Sequence, residues 1–198
     1  MKILLIILGV ILAIIVIVQV FAFSGRKNIE SYSYQVVKKY KDFEIRDYEA
    51  SLFTTVKLSS KGYKDTSRKG FSILAGYIFG DNDKNKKIAM TSPVAMSLED
   101  SATMMFMVPR EFDKKTLPKP NQPQINFVEE PAKKIAAISF TGWANEEKIA
   151  KYQEKLKLVL ETENISYTNQ FYFFGYNPPY EIFNRKNEVI VELYWKFL

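Results

Sequence analysis

One order of predicted secondary structure occurs twice along the chain, and it constrains the fold more than any single motif. In residues 34–113 a strand-like segment is followed by a helix and two strands, and residues 125–198 repeat that order. The strand-like segments alternate apolar and polar residues, whereas the helical segments have apolar residues three and four apart. Each unit would leave one face of its sheet uncovered, so we expect the two units to share one core.

Each unit is centred on a predicted helix. The first helix begins near Asp65 and ends at Gly80, and the second is capped by Asn145. Apolar residues recur on one face of each helix, namely Phe71, Leu74, Ala75 and Ile78 in the first and Ile149, Tyr152, Leu156, Val159 and Leu160 in the second. The sequence therefore predicts an α+β domain in which a pseudo-twofold pair of strand–helix–strand–strand units forms a curved, distorted β-barrel of about eight strands, flanked by two helices.

The first part of the chain is an uninterrupted apolar segment. Residues 3–23 contain no charged side chain, and Gln19 is their one strongly polar residue. A helix of this length matches the hydrocarbon thickness of a bilayer, about 30 Å. We therefore predict that residues 1–23 are an N-terminal transmembrane anchor, with a cleaved signal peptide ending at Ala22 as the alternative. The protein would then be a single-pass membrane protein, and we expect its domain to be extracytoplasmic, although the flanking positive charges favour the opposite orientation.

Two polar segments divide the rest of the chain. Residues 24–33 are short and polar and predict a linker. Residues 114–124 contain three prolines and predict a connector between the units. The predicted domain covers residues 34–198, with repeat one at 34–113 and repeat two at 125–198.

The chain contains no histidine and no cysteine, which excludes several kinds of site. It has no Ser-His-Asp or Cys-His nucleophile and no ligands for ordinary zinc, blue-copper or iron–sulfur centres. The net charge is +6, but the lysines are scattered rather than gathered in a stripe, so nucleic-acid binding is not expected. We therefore predict a binding protein rather than an enzyme, and a monomer.

Four motifs stand in order along the predicted domain. They are Y-x-V-V-K-K-Y-K-D-F-E-I-R-D-Y at 34–48, R-K-G-F-x-x-L-x-x-Y-I-F-G-x-N at 68–82, K-I-A-M-T-S-P-V-A-M at 87–96, and Y-N-P-P with N-R-K-N-E-V at 176–189. Together they resemble the SOUL haem-binding protein family. The resemblance implies a distorted barrel of two repeats with two helices, and non-catalytic binding of haem or another tetrapyrrole.

Because the chain lacks histidine, it fits only one of the family's binding modes, in which an apolar cleft holds the porphyrin near basic residues. Haem or a porphyrin is then a ligand that folding does not require. The candidates for the apolar walls of the cleft are Met90, Met96, Phe71 and Phe106. Arg68 and Lys69 are the candidates for its basic rim, and the hydroxyl of Tyr77 is the candidate oxygen ligand. The alternative for the methionines and for Phe71 is that they fill the core.

The last strand carries a second, shorter resemblance. The motif V-E-L-Y at 191–194 resembles the final strand of gyrase-inhibitor-like effector-binding domains, which share the double-repeat architecture and hold amphiphilic, often cationic, small molecules. The resemblance implies that Glu192 takes part in binding, with Tyr194 on the same face of the strand. The alternative function is therefore a sensor or interaction domain for an amphiphilic small molecule or a partner protein. If Glu192 instead faces solvent, this alternative loses its main support.

Overall fold

The computed structural model describes residues 2–25, 29–59, 63–99 and 101–194, and within the first helix it describes the side chains of residues 2–14, 17 and 19. The elements in chain order are α1 (Lys2–Gly25), β1 (Tyr34–Lys39), β2 (Glu44–Tyr48), β3 (Ser51–Lys57), α2 (Tyr63–Ile78), β4 (Val94–Ser97), β5 (Thr103–Met107), β6 (Ile125–Glu130), β7 (Lys133–Thr141), α3 (Glu146–Thr162), β8 (Tyr167–Gly175) and β9 (Lys186–Leu193).

The strands form one sheet of nine, in the order β1-β2-β7-β9-β8-β4-β5-β3-β6, and each neighbouring pair is antiparallel. Apart from β1, the sheet has a pseudo-twofold symmetry. The symmetry exchanges β2 with β6, β3 with β7, β4 with β8 and β5 with β9, and it reverses the strand order. Each unit is therefore strand–strand–helix–strand–strand. Its first strand pairs with the other unit, because β2 lies on β7 and β6 lies on β3. The two units are interlocked through these exchanged strands.

This architecture corrects the predicted fold. The structure has a nine-stranded half-barrel and three helices, not a barrel of about eight strands with two flanking helices. The strand-like segment that leads each predicted unit consists of three strands in the first unit, β1, β2 and β3, and of two in the second, β6 and β7. In the first unit a turn at Lys41 and Asp42 separates β1 from β2, and in the second Pro131, which has no N–H to donate, separates β6 from β7.

Two short connections force the sheet to curl. Residues 131–132 join β6 to β7, and residues 49–50 join β2 to β3, yet in both cases the joined strands lie six places apart in the sheet. In a flat sheet six places correspond to about 29 Å, whereas a two-residue connection spans at most about 11 Å. The sheet must therefore bend until its two sides approach each other. We call the concave side the inner face and the other side the outer face.

The two long helices of the domain pack on the outer face. Helix α2 contacts β3 and β5, while α3 contacts β7, β8 and β9. The Asn145 side chain accepts a hydrogen bond from the Lys148 N–H at 2.8 Å, so it caps α3 as the sequence predicts. The inner face has its own buried cluster, formed by Tyr32, Tyr48, Phe53, Ala95, Met105, Met107, Ile135, Ala137, Phe174 and Ile190.

Helix α1 is apolar, and many of its described side chains are exposed. The Gln19 amide donates to the Tyr180 carbonyl at 2.9 Å and accepts from the Ile182 N–H at 3.1 Å, which joins α1 to the loop between β8 and β9. Over the residues that the structure describes, no helix has the length and apolarity needed to cross a membrane. This finding contradicts the predicted transmembrane anchor at residues 1–23 and the single-pass membrane location, and we withdraw both.

Candidate functional site

A narrow cleft runs along the inner face, between the two sides of the curled sheet. It contains about 20 Å³ of free space, which is room for about one water molecule. Its walls are mainly aromatic and aliphatic, with one acidic and one basic residue, and they consist of Tyr32, Phe53, Ala95, Met105, Glu130, Lys133, Ile135, Tyr172, Phe174 and Ile190. The cleft is therefore almost completely filled by the protein's own side chains.

Tyr32 inserts its ring into the wall of this cleft, although the sequence assigns it to a linker. Its ring is 4% exposed and lies 4.6 Å from the ring of Tyr48 and 5.2 Å from that of Phe53, measured between centroids. Its hydroxyl is buried without a hydrogen-bond partner among the described residues. Burial first, and then the charge of Glu130, raise the pKa of Tyr32 well above its usual value. A buried polar group without a partner costs about 1–3 kcal/mol, so this contact is not an optimised part of the core.

The polar groups at the cleft are mostly acidic. Glu192 follows Ile190 on the inner face of β9, because alternate residues of a strand share a face. Glu130 is paired with Lys133, whose Nζ lies 2.5 Å from a carboxylate oxygen, but the structure gives Glu192 no such pair among the described residues. Burial, followed by the charges of Glu130 and other acids, raises the pKa of Tyr172 to about 12. The cleft therefore carries a net negative charge.

One end of the inner face holds a buried ionic network centred on Glu188. Arg46 donates to both oxygens of this carboxylate at 2.9 Å, while Ser139 and Tyr176 donate to it at 2.8 and 2.6 Å. The Lys186 ammonium lies 3.1 Å away. Burial pushes the pKa of Glu188 upward, but the hydrogen bonds and charge of Arg46 outweigh it and lower this pKa to about 2. The network joins β2 of the first unit to β7 and β9 of the second.

The predicted apolar walls lie on the opposite face from the cleft. Met96 and Phe106 are buried beneath α2, and Met90 packs against the same cluster. Phe71 is 38% exposed on α2, and its ring centroid lies 5.4 Å from that of Phe106. The structure thus brings Phe71 together with two of the predicted walls, while the third, Met90, lies at the edge of this cluster.

The remaining predicted residues are divided between surface and core. Arg68 and Lys69 are exposed on α2, and neither has a hydrogen bond or ion pair with a described residue. Tyr77 is completely buried, and its hydroxyl donates to the Pro118 carbonyl at 2.9 Å, so this oxygen already has a partner. Tyr194 is exposed just after β9 and lines no described cleft.

Three important residues were not singled out from the sequence as members of a site. Arg46 and Glu188 belong to motifs used for the family resemblance, but Glu188 was interpreted as shaping a turn. The signal was present, because Glu188 lies two residues from Ile190 in a strand that is apolar on both faces. Tyr32 had no such signal, because its neighbours are polar.

The fold has counterparts among solved structures. The C-terminal domain of EcmrR aligns with 81% of this chain and 98% of its own, with a TM-score of 0.62 and 11% sequence identity. A hydrolase from Listeria innocua aligns with 80% of this chain and 94% of its own, with a TM-score of 0.56 and 9% identity. At such low identities these likenesses establish the architecture alone, that of an interlocked, double-unit α+β half-barrel.

The family follows from sequence. The family model described as SOUL heme-binding protein matches residues 29–192. Heme-binding protein 1 of Xenopus laevis is 28% identical over 74% of this chain and 81% of its own length. Heme-binding protein 2 of Homo sapiens is 29% identical over 74% of this chain and 76% of its own. The chain belongs to the SOUL heme-binding protein family, as its motifs predicted.

Proposed function

We propose that this protein binds haem or another tetrapyrrole, without catalysis and without a histidine ligand, on the exposed face of α2. Its relatives are named as heme-binding proteins, and its family carries the same description. The observation that carries the proposal is the exposed ring of Phe71 on the helix that also exposes Arg68 and Lys69, neither of which has an ion pair with a described residue. Residues three apart on a helix are neighbours, so Arg68 stands one turn before Phe71 on the same side of α2.

This surface matches the chemistry of a porphyrin. A porphyrin is a flat apolar plate that carries two propionates, so it stacks on an exposed aromatic ring while its carboxylates meet the cations. Beneath Phe71, Phe106 and Met96 provide a rigid buried support. The inner-face cleft is less suitable, because it is filled and because Glu130 and Glu192 would repel the propionates.

The iron is not expected to anchor the ligand. The chain has no histidine or cysteine, and the Tyr77 hydroxyl is already bonded inside the core. Within the described residues, no group of three or more acidic side chains is placed to hold a metal ion. Binding therefore depends on contact with the ring and on the propionates, and metal-free protoporphyrin should bind within about tenfold of haem.

Absorbance titration of the protein with haem and with protoporphyrin tests this proposal. Phe71→Ala should weaken both ligands alike, by about fivefold to tenfold, because the stacking surface is lost. Arg68→Ala should weaken protoporphyrin but not its dimethyl ester, which has no free carboxylates. Leu158→Ala and Lys151→Ala, at exposed positions on α3, are the matched controls and should change neither affinity. A preference for haem much greater than tenfold would show that a protein ligand to iron has been overlooked.

A second candidate function is supported by the charge of the inner-face cleft. An aromatic-walled cleft that is lined by Glu130 and Lys133 and lies near the carboxylate of Glu192 suits an amphiphilic cation. We expect 4-methylbenzylammonium, a cation with one aromatic ring, to bind Glu192→Gln several-fold more weakly than the native protein in a calorimetric titration, because the substitution keeps the shape and removes the charge. Glu154→Gln, at an exposed position on α3, is the control. Equal affinities for the native protein and Glu192→Gln would rule out a part for Glu192.

A further inference from the structure

The segment that carries Tyr32 into the inner-face cleft is attached by backbone hydrogen bonds, by contacts with Arg110 and by the ring of Tyr32. We call residues 30–33 the strap. The Tyr32 N–H donates to the Ser92 carbonyl, and the Ser92 N–H donates to the Glu30 carbonyl, both at 2.9 Å. The exposed Arg110 side chain adds contacts to Ser33 and Glu30. Exposed ion pairs of this kind contribute little, about 0–1 kcal/mol each. Within the strap, the one buried side chain is that of Tyr32.

The Glu49 N–H also donates to the Ser33 carbonyl, and the Arg110 N–H to the Glu30 carboxylate, both at 3.1 Å, so these surface bonds and the insertion of one ring hold the strap. That ring is well packed against Tyr48 and Phe53, but its hydroxyl has no partner and lies in the field of Glu130 and Glu192. A ring of the same size with a positive charge in place of the hydroxyl would keep the packing and gain an attraction to these carboxylates. Tyr32 thus has the position of a ligand but lacks the polar group that the cleft favours.

We propose that the inner-face cleft is a binding site for a single aromatic ring that bears a positive charge, and that Tyr32 occupies this site as an internal, displaceable competitor. Withdrawal of the strap opens a space with the shape of a tyrosine side chain, closed on its sides by Phe174, Ile190 and Met105. This inference rests on the second candidate function, because it concerns the same cleft.

The test is a thermal-shift measurement on the full chain with three compounds that share one ring: 4-methylphenol, 4-methylbenzylammonium and 4-methylbenzoate. Tyr32→Ala should show a rise in Tm of about 2–4 °C with 4-methylphenol and a larger rise with the ammonium compound, while the carboxylate has little effect. The native protein and Tyr32→Phe, in which the ring still fills the cleft, should show no such rise. Tyr40→Ala is the matched control, because Tyr40 stacks on Phe43 in the cluster beneath α3.

The outcomes separate this inference from the function on which it rests. If Tyr32→Ala responds to 4-methylphenol but no better to the cation, Tyr32 is a displaceable occupant and the preference for a cation is wrong. If no compound raises the Tm of Tyr32→Ala above that of Tyr40→Ala, the inference is overturned.

Hydrogen exchange of the native protein covers the case in which Tyr32→Ala does not fold. The amides of Tyr32 and Ser92, which hold the strap, should exchange at least tenfold faster than that of Ala95, which lies in the central strand β4, because the strap opens without global unfolding. Equal exchange rates at these positions would make Tyr32 a fixed part of the core and overturn the inference.

Discussion

Glu188 shows how one residue can stabilise the interface between the two units. Its carboxylate is completely buried, and it receives hydrogen bonds from Arg46, Ser139 and Tyr176. Removing one partner of a buried ion pair leaves the other charge without compensation, which typically costs about 3–5 kcal/mol. In this network Glu44 also contacts Arg46 at 2.9 Å, so the guanidinium would keep one partner.

We therefore predict that Glu188→Gln lowers the free energy of unfolding by about 3 kcal/mol at neutral pH, the low end of that range. Urea denaturation followed by circular dichroism measures this change. Glu154→Gln is the control, because Glu154 pairs with Lys157 at the exposed surface of α3 and should contribute less than about 1 kcal/mol. A loss for Glu188→Gln no greater than that of the control would show that the network is energetically neutral.

The same carboxylate makes the stability depend on acid. The pKa of Glu188 is lowered from 4.5 to about 2 on folding, so the stability linked to its ionisation is fully present above pH 4.5. It is lost as the pH falls from there toward about 2, and it amounts to roughly 3 kcal/mol. The difference in unfolding free energy between the native protein and Glu188→Gln should shrink over this interval. A difference that stays constant down to pH 2.5 would contradict the lowered pKa.

Among the elements, β2 and β6 decide whether either half can exist alone. Each lies in the sheet of the opposite unit, β2 on β7 and β6 on β3. If the second unit is isolated, β7 loses β2, the strand that pairs with it. The inner faces of β8 and β9 also lose their contacts with the cluster residues Phe53 and Met105. A strand with unpaired backbone groups and an apolar face is prone to association rather than to folding.

We predict that residues 125–198 alone show no cooperative thermal transition, and that co-expression with residues 1–124 restores one. Differential scanning calorimetry measures the transition, and the full chain is the reference. The interlocked sheet gives the physical reason, because each unit supplies a strand that pairs with the other unit. Cooperative unfolding of residues 125–198 by themselves would refute this expectation.

At the scale of the whole molecule, local patterns predicted the elements but not their partners. The cap at Asn145 and the spacing of apolar residues predicted the position of α3. The same rules predicted that α2 ends at Gly80, two residues beyond its observed end at Ile78. The exchange of β2 and β6 depends on pairing between distant segments, which no short-range pattern encodes. The first strand after α2 begins only at Val94, because Pro93 before it has no N–H to donate to a neighbouring strand.

The candidate site shows the same division. The rim residues Arg68 and Lys69 are both exposed on α2, as a binding role requires. Met96 and Phe106 fall beneath α2 because the pairing of β4 with β5 and β8 fixes which face each residue occupies. The polar neighbours of Tyr32 predict a linker, and only the curl of the sheet creates the cleft that receives its ring.

The exchanged strands also have a consequence for the timing of biosynthesis. Glu44 in β2 pairs with Ala137 in β7, so the partner of β2 leaves the ribosome roughly 90 residues later, about 5–18 s at usual rates of elongation. During that interval β2 can pair only with β1, and the first unit emerges with one side of its sheet unfinished. The contacts that complete the sheet are among the longest in sequence separation, which is the feature that slows folding most. Nascent chains of this protein should therefore depend on protection by chaperones until β7 has been synthesised.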